Sequence, residues 1–460
     1  MAQCDQLDVD RLLESDNLVS YRNQKERTAT IMLSASVASL SSVSFGYVSF
    51  FWIVKDWPDG RQWYSSSPIL FFIAASIGCV FAGILIDLIG RKSTILVNSF
   101  IYLLGYILVI RGFQDKPQFL ELATTFSCIF CGFGAGITSL VVPVYITEVS
   151  SVRLRGVLGA INHYAIILGI FLFRMTASLW SDKFCNTIVG LVVIVLSFFM
   201  VLMPETPRWL IAHDKQDKAL KNQLWLLGIK SDAEDECNQV KINLAQQHIA
   251  SVNDFRSPGL FRPLIIGSIL LFSHDLTFIA YIFYFLSSYR LFKTIADVET
   301  CVMVQLPVVL LGCFLVHRVS RRKLLLFGST ILFLSCIGFY VFAHHESVEN
   351  KILLAYVNIF NIIYGITWGP LPWIIVSEIF PPRARGLLGS ILKSFIWLLN
   401  IPMIHFFNES LVYKLVLFCA IVFFLSILFV YYFVPETKRL TLEEIEHYYI
   451  IFRGFRNYLL

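Results

Sequence analysis

The chain has 460 residues, of which 57% are hydrophobic and 15% are charged, and its formal net charge is +5. A soluble chain of this composition would expose too much apolar surface. The positive-inside bias of membrane proteins accounts for the small excess of Lys and Arg without a nucleic-acid partner. The composition therefore excludes a soluble domain and predicts a protein of the lipid bilayer.

Twelve hydrophobic runs are each long enough to cross about 30 Å of hydrocarbon as a helix. They cover residues 31–53, 68–90, 94–112, 119–146, 157–178, 184–203, 262–286, 296–316, 323–343, 353–377, 386–408 and 412–434. We predict an all-α membrane protein with twelve transmembrane helices. The first run lacks the small-residue cleavage pattern of a signal peptide, so we expect it to be a true span.

Polar stretches divide these runs into two six-helix halves. The predicted domains are an N-terminal tail (1–30), a first half (31–203), a polar linker (204–261), a second half (262–434) and a C-terminal tail (435–460). Because each half has an even number of spans, the halves are parallel repeats. Arg and Lys concentrate in alternate loops, which predicts that these loops, the linker and both tails are cytoplasmic.

The N-terminal tail contains a pattern from Asp8 to Leu13, Asp-Val-Asp-Arg-Leu-Leu. This is the acidic dileucine spacing that sorting adaptors bind, although such short patterns also arise by chance in polar tails. The sequence therefore leaves two locations open, the plasma membrane and an endosomal or lysosomal membrane.

The fourth run contains three glycines at alternate positions, Gly132, Gly134 and Gly136. Small residues in a span let another helix approach closely, so we expect a tight helix contact here. The same run contains Cys128 and Cys131, which resemble a redox motif. Within a span, small buried thiols are the simpler interpretation. With no metal spacing among the cysteines and no catalytic constellation in the linker, we predict no enzyme, metal site or cofactor.

Three charged motifs occur twice, in the same order, at a separation of about half the chain. The pairs are Glu148–Gly156 and Glu378–Gly386, Asp87–Lys92 and His317–Arg322, and Pro204–Thr206 and Pro435–Thr437. In the first pair, a glutamate is followed by arginines five and seven residues later, and then by glycine. Three motifs repeated at one spacing indicate a tandem duplication.

These motifs and two neighbouring ones extend over residues 31–446. The full set is Gly83-x-x-x-Asp87-x-x-Gly90-Arg91-Lys92, Pro143-x-Tyr145-x-x-Glu148 with Arg155-Gly156, Pro204-Glu205-Thr206-Pro207-Arg208-Trp209-Leu210, Gly369-Pro370-Leu371-Pro372-Trp373 with Glu378, and Pro435-Glu436-Thr437-Lys438 with Thr441-Leu442-Glu443-Glu444. Together they resemble the sugar porter family of the major facilitator superfamily, and within it the insect facilitated trehalose transporters and animal facilitative hexose carriers. The resemblance implies a rocker-switch carrier with a polar cavity between its halves.

The resemblance also implies a mechanism for the repeated charges, in which ion pairs at the cytoplasmic ends close the carrier on that side. The gate residues would be Asp87, Arg91, Glu148, Arg155, Glu205, Arg208, Arg321, Glu378, Arg385 and Glu436. Exposed pairs contribute about 0–1 kcal/mol each, but a network between two rigid bodies can bias a two-state equilibrium. Positive-inside anchoring alone would explain the arginines but not the glutamates at matching spacing.

The substrate cavity departs from the family pattern. Two glutamines and an asparagine of the family's seventh helix are replaced by His274, Asp275 and Ala280. The candidate substrate-binding residues are His163, His274, Asp275, Gln305, Trp373, Trp397 and Asn400. Aromatic rings can face the C–H surface of a sugar while the polar groups bind its hydroxyls. A sugar (hexose or trehalose) or a related polyol remains the implied substrate, bound with altered geometry.

Asp275 raises the question of proton coupling. An acid within a membrane helix marks a pathway or a relay, and with His274 beside it the pair can exchange a proton near neutral pH. A buried acid satisfied by His274 or by helix N–H groups is the plainer interpretation. The first-helix position that holds aspartate in the family's proton symporters is Val48, which favours uniport.

Three functions stay open: facilitative uniport, proton-coupled symport, and a non-transporting sugar sensor with a degenerate site. His317 and Ser320 replace the acid and the glycine of the first motif copy, which supports the sensor. The retained gate glutamates and the Gly-Pro-Leu-Pro-Trp break of the tenth run support a carrier. The predicted partners are thus a small sugar and the lipid bilayer, with a sorting adaptor at the N-terminal tail.

Overall fold

The computed structural model describes residues 28–53, 67–114, 117–179, 183–246, 258–291, 295–343, 350–380, 385–406 and 412–438, with a few further positions up to 449. The predicted adaptor pattern from Asp8 to Leu13 lies outside these ranges. Every regular element within them is helical.

Six long helices form the first half. They are α1 (Thr28–Ile53), α2 (Ser67–Leu88), α3 (Arg91–Gln114), α4 (Pro117–Val149), α5 (Arg155–Leu179) and α6 (Lys183–Leu196), the last extended by a 3-10 turn (Ser197–Leu202). Three short helices follow in the linker, α7 (Pro207–Ala212), α8 (Gln216–Leu227) and α9 (Lys230–Gln246). The polar linker predicted from the sequence is thus partly helical.

The second half repeats the arrangement with one interruption. Its helices are α10 (Pro258–Leu291), α11 (Ile295–Arg318), α12 (Arg321–Ala343), α13 (Asn350–Ile366), α14 (Leu371–Ile379), α15 (Arg385–Phe406) and α16 (Val412–Phe433). The tenth span is divided between α13 and α14 at residues 367–370, where Pro370 and Pro372 lack the N–H groups that would continue the helix. Counted as spans, these helices confirm the all-α, twelve-helix prediction.

The outer surface of the helix bundle is apolar, as expected of a membrane protein. Within the part of the chain that the structure describes, eight segments are long and apolar enough to cross a bilayer by themselves. Phe100, Phe314, Phe395 and Leu425 each leave more than half of their surface exposed on the outside of the bundle. Water would disfavour so much exposed apolar surface, whereas lipid accepts it.

The predicted glycine contact in α4 is confirmed. A Cβ atom at Gly132 or Gly136 would lie 2.5 Å or 2.0 Å from the backbone oxygen of Phe71 or Ala75 in α2, while Gly134 faces the ring of Tyr102 in α3. Only glycine permits backbones to approach so closely. The first half is therefore held together partly by α4 lying directly against α2.

The two halves meet through α2 with α15, α5 with α11, and α4 and α5 with α14. Gly83 of α2 lies against α15, where a Cβ would be 2.5 Å from Ser390 Oγ and 3.0 Å from the Gly386 oxygen. Nearer the middle of the same helices, the hydroxyls of Ser76 and Ser394 are hydrogen-bonded at 2.7 Å. We call the end of the bundle that carries the repeated charged motifs the motif end, and there the halves are in contact.

Candidate functional site

The charged residues of the first half form a buried cluster at the motif end. Arg91, at the start of α3, places Nη2 3.0 Å from Glu148 Oε1 and Nη1 3.9 Å from Asp87 Oδ1. The side chain of Glu148 is only 2% exposed, so its charge is compensated by protein groups rather than by water. The turn that brings Asp87 and Arg91 together contains Gly90, whose φ of 91° favours glycine.

Glu205 binds the N-terminus of the same helix, α3, through backbone N–H groups. Its Oε1 accepts the backbone N–H of Arg91 at 3.0 Å and its Oε2 accepts that of Lys92 at 3.1 Å. Carboxylates are favourable at a helix N-terminus, where N–H groups have no partner within the helix. Burial raises the pKa of the Glu205 carboxyl above its ordinary value, although the N–H groups of Thr206 and Lys92 act in the opposite direction.

The second half repeats the arginine–glutamate pair and the carboxylate at the helix start, with His317 in the place of Asp87. Arg321, at the start of α12, is paired with Glu378, and the two are 57 residues apart in sequence, as Arg91 and Glu148 are. Glu436 accepts the backbone N–H groups of Arg321 and Arg322, each at 3.1 Å. The duplication seen in the sequence is therefore a duplication of buried contacts.

Two arginines connect the clusters across the halves. Arg385 of the second half lies with Nη1 3.8 Å from Glu148 of the first half. Arg155 of the first half is near enough to Glu378 of the second to interact with it electrostatically. Each buried glutamate thus has an arginine from its own half and one from the other, while Arg208 of α7 also acts electrostatically on Glu148.

The predicted gate residues are therefore all at the motif end, but they do two different things. Glu148, Glu378, Arg155 and Arg385 connect the halves. Glu205 and Glu436 bind helix N-termini within their own half. The sequence pattern did not separate these two roles because each of these glutamates recurs in the second half at the same distance from an arginine.

A second charged cluster lies deep within the second half. His274 Nδ1 is 2.7 Å from Asp275 Oδ1 on α10, and Lys393 Nζ of α15 is 3.3 Å from Asp275 Oδ2. The Tyr364 hydroxyl of α13 donates to the His274 backbone oxygen at 3.3 Å. His163 of α5, buried against Gly369, interacts electrostatically with His274.

Aromatic rings surround this cluster. Trp373 meets His274 edge to face, with ring centroids 5.7 Å apart, and Lys393 Nζ lies 3.4 Å from the centroid of the Trp373 ring. A cation so close to an indole face is a cation–π contact. The ring face that the sequence offers to a sugar is therefore covered by an ammonium group in this state.

Trp397 belongs to the boundary between the halves. Its Nε1 donates to Ser139 Oγ of α4 at 3.4 Å, and its ring packs against Phe45 of α1 and Phe71 and Phe72 of α2. All of these partners are in the first half. Trp397 thus lies where movement of one half against the other would change its surroundings.

The two remaining candidates, Gln305 and Asn400, are also buried within the second half. Gln305 of α11 lies beside Gly365 of α13, and Asn400 follows Trp397 by one turn of α15. The structure thus groups His274, Asp275 and Trp373 directly, with His163 beside them. For Gln305 and Asn400 it shows burial within the same half.

Sequence reasoning missed two residues. Lys393 lies within the predicted span 386–408, where a charged side chain is itself a functional signal. Asn361, one turn before Gly365, is fully buried, and its amide has no hydrogen-bond partner within the described part of the chain. Nothing in the sequence distinguishes Asn361 from Asn358 three residues earlier, because both lie in the same apolar run.

The fold and the two clusters define a membrane carrier of the major facilitator type, built from two six-helix halves. A family model described as sugar (and other) transporter matches residues 30–449. The chain therefore belongs to that family of sugar transporters.

Individual relatives agree with this assignment. The sugar transporter ERD6-like 16 of Arabidopsis thaliana is 30% identical, over 81% of this chain and 80% of the relative. The facilitated trehalose transporter Tret1 of Bombyx mori is 28% identical, over 81% of this chain and 76% of the relative. The proton:xylose symporter XylE bound to 6-bromo-6-deoxy-D-glucose has a TM-score of 0.76 and 21% identity, covering 92% of this chain and 99% of that one.

Proposed function

We propose that this protein is a facilitative carrier that moves a sugar (hexose or trehalose) or a related polyol across the membrane by alternating access, as a uniporter. The observation that carries the proposal is the pairing of Glu148 and Glu378 with arginines from both halves. Such cross-half pairs exist only while the motif end is closed. A static receptor has no need for contacts that must break and re-form.

The polar residues between the halves are the proposed substrate site. Trp397 and Ser139, and Ser394 and Ser76, are contacts between halves in the middle of the membrane-spanning helices. Asn361 supports a polyol substrate, because its buried amide has no hydrogen-bond partner among the described residues and a substrate hydroxyl group would satisfy it. His163, His274, Gln305 and Asn400 would add donors and acceptors to the same site.

Orientation and domains belong to the same proposal. We assign the motif end, both tails and the linker of 204–261 to the cytoplasmic side, since Arg and Lys concentrate there. The proposed domains on either side of the linker are the two six-helix halves, at 31–203 and 262–434, and the two tails, at 1–30 and 435–460. The plasma membrane is the proposed location, and an adaptor that binds Asp8–Leu13 would redirect the protein to endosomes or lysosomes.

The direct test is uptake of radiolabelled glucose, fructose and trehalose into proteoliposomes that contain the full-length protein, at about pH 5.5 and 7.4. We expect saturable uptake of at least one of these sugars, with exchange accelerated by the same sugar inside the vesicle. Uniport predicts that a pH gradient does not concentrate the neutral sugar, whereas accumulation against its gradient would establish symport instead. Absence of uptake by folded, reconstituted protein would favour the sensor and contradict the proposal.

A further inference from the structure

The candidate site contains an ion pair within the membrane-spanning helices, which a site that binds only neutral sugars would not need. Lys393 and Asp275 lie 3.3 Å apart, and their side chains are 5% and 15% exposed. Removing two charges from water costs several kcal/mol per ion, which a pair of this kind offsets only in part. Ionisable residues within membrane-spanning helices are rare and mark candidate sites of transport, so this pair is where we look for a second substrate class.

The chemistry of Lys393 indicates what that role is. An ammonium group donates three hydrogen bonds and accepts none, so a carboxylate is its natural ligand. Asp275 is the carboxylate that it holds in this state, and the same ammonium group lies 3.4 Å from the centroid of the Trp373 ring. A substrate carboxylate would bind Lys393 in the place of Asp275, with the sugar ring against the indole that the ammonium now covers.

Other titratable groups surround Asp275 within the described part of the chain. His274 on the same helix shares its carboxylate, Cys79 of α2 interacts electrostatically with both Asp275 and Lys393, and His163 of α5 interacts with His274. The Tyr364 phenol of α13 is bound to the His274 backbone. Among the side chains that the structure describes, the charged and histidine residues of the other helices packed against α10 and α15 lie near helix ends. At the motif end these are Asp87 of α2, Glu148 of α4, His317 and Arg318 of α11 and Glu378 of α14, and at the opposite end Lys414 of α16.

We propose that Lys393 binds the carboxylate of an acidic sugar, and that Asp275 is an internal counter-ion which releases Lys393 when it takes up a proton. The proposal rests on the proposed function of a sugar carrier and names a second substrate class for the same site. His274 Nδ1 lies 2.7 Å from Asp275 Oδ1, on the side of the carboxylate away from the oxygen that contacts Lys393.

Charge balance makes the two substrate classes compatible. With a neutral sugar, the Lys393–Asp275 pair stays intact and the loaded site has no net charge. With an acidic sugar, the substrate anion is balanced by Lys393 while Asp275 is neutral, so the loaded site again has no net charge. One proton therefore moves with each sugar anion, and that transport is electroneutral.

The test uses radiolabelled glucuronate and glucose with the full-length protein in proteoliposomes, at about pH 5.5 and 7.4 outside. We expect glucuronate uptake to be at least fivefold faster at the lower pH and unaffected by an imposed membrane potential. Asp275→Asn mimics the protonated acid and is expected to make glucuronate uptake independent of pH. Lys393→Gln is expected to lower the ratio of glucuronate to glucose uptake at least tenfold.

Two controls keep the result interpretable. Lys414→Gln removes a lysine of the same charge from the exposed end of α16 and is expected to leave the ratio and its pH dependence unchanged. Because Lys393→Gln leaves Asp275 buried without its cation, the double variant Asp275→Asn/Lys393→Gln removes both charges together. We expect the double variant to keep the thermal stability of the wild type while the ratio of glucuronate to glucose stays low.

Separate outcomes contradict the two proposals. Saturable glucose uptake with no glucuronate uptake at either pH would overturn the acidic-sugar site and leave the carrier function intact. Glucuronate uptake that survives in the double variant would likewise remove Lys393 from substrate binding. Uptake of neither compound by folded protein would contradict the carrier function itself.

Discussion

At the scale of single residues, the two buried glutamates of the motif end carry the connection between the halves. Glu148 holds Arg91 at 3.0 Å and Arg385 at 3.8 Å, and Glu378 holds Arg321 while Arg155 acts on it. The two environments share an arginine from each half because the chain is duplicated, although His317 replaces Asp87 in the second copy. Removing one carboxylate therefore takes the shared buried counter-charge away from two arginines, one from each half.

Glu148→Gln is expected to slow net sugar uptake in proteoliposomes at least tenfold, and Glu378→Gln should have a similar effect. Breaking a buried pair by removing one partner costs about 3–5 kcal/mol, and here part of that cost falls only on the state in which the motif end is closed. The matched control is Glu234→Gln, since Glu234 is an exposed linker residue paired with Lys230 at 3.7 Å. Wild-type uptake in both buried variants would show that the cross-half pairs do not govern transport.

At the scale of secondary-structure elements, glycines set two kinds of helix contact. Gly136 lets α4 lie on α2 inside one half, and Gly83 lets α2 lie on α15 of the other half. If the halves move as units, the first contact persists and the second breaks when the motif end opens. We therefore expect equal changes at the two glycines to have different consequences.

Gly136→Ala is expected to lower the melting temperature of the purified protein, because its Cβ would lie 2.0 Å from the Ala75 backbone oxygen, and overpacking of this kind costs about 1–3 kcal/mol. Gly83→Ala is expected to lower uptake several-fold with little change in melting temperature, because the new Cβ meets Ser390 Oγ at 2.5 Å only across the halves. Thermal unfolding and uptake measured on both variants test the distinction. Equal loss of stability in the two would contradict it.

At the scale of the whole molecule, transport requires the halves to move against each other as units. Ser76 and Ser394 come from different halves and are 2.7 Å apart at their hydroxyls. Ser99 and Ser197 both belong to the first half and are 2.6 Å apart. These pairs offer crosslinks of similar length that differ in whether they join the moving parts.

A disulfide in Ser76→Cys/Ser394→Cys is expected to abolish uptake, and reduction by dithiothreitol should restore it. The Ser99→Cys/Ser197→Cys disulfide is expected to leave uptake close to that of the wild type, because it fixes a contact that does not change. Both designed disulfides join side chains that are close enough for a disulfide bond to form. Uptake that persists in the oxidised cross-half variant would contradict movement of the halves as rigid units.

Much of the molecule at this scale follows from the sequence. Hydropathy locates the spans because each residue's preference for lipid or water is a local property, summed over about 20 neighbours. The duplication is equally visible, since Glu148 and Glu378 stand at matching distances from Arg155 and Arg385. The sequence by itself therefore determines twelve helices, two parallel halves and a set of charges shared by both.

The tertiary structure alone decides which of these charges meet. Lys393 and Asp275 are 118 residues apart in sequence, and only the rotation and register of α10 and α15 bring them to 3.3 Å. The same holds for Glu205, which the sequence places in a gate and the structure places on the N-terminus of α3. The hydrophobic pattern of the sequence shows that a residue lies within a helix of the bundle. A contact between distant segments depends instead on how whole helices pack, because all the side chains of both helices determine that packing together.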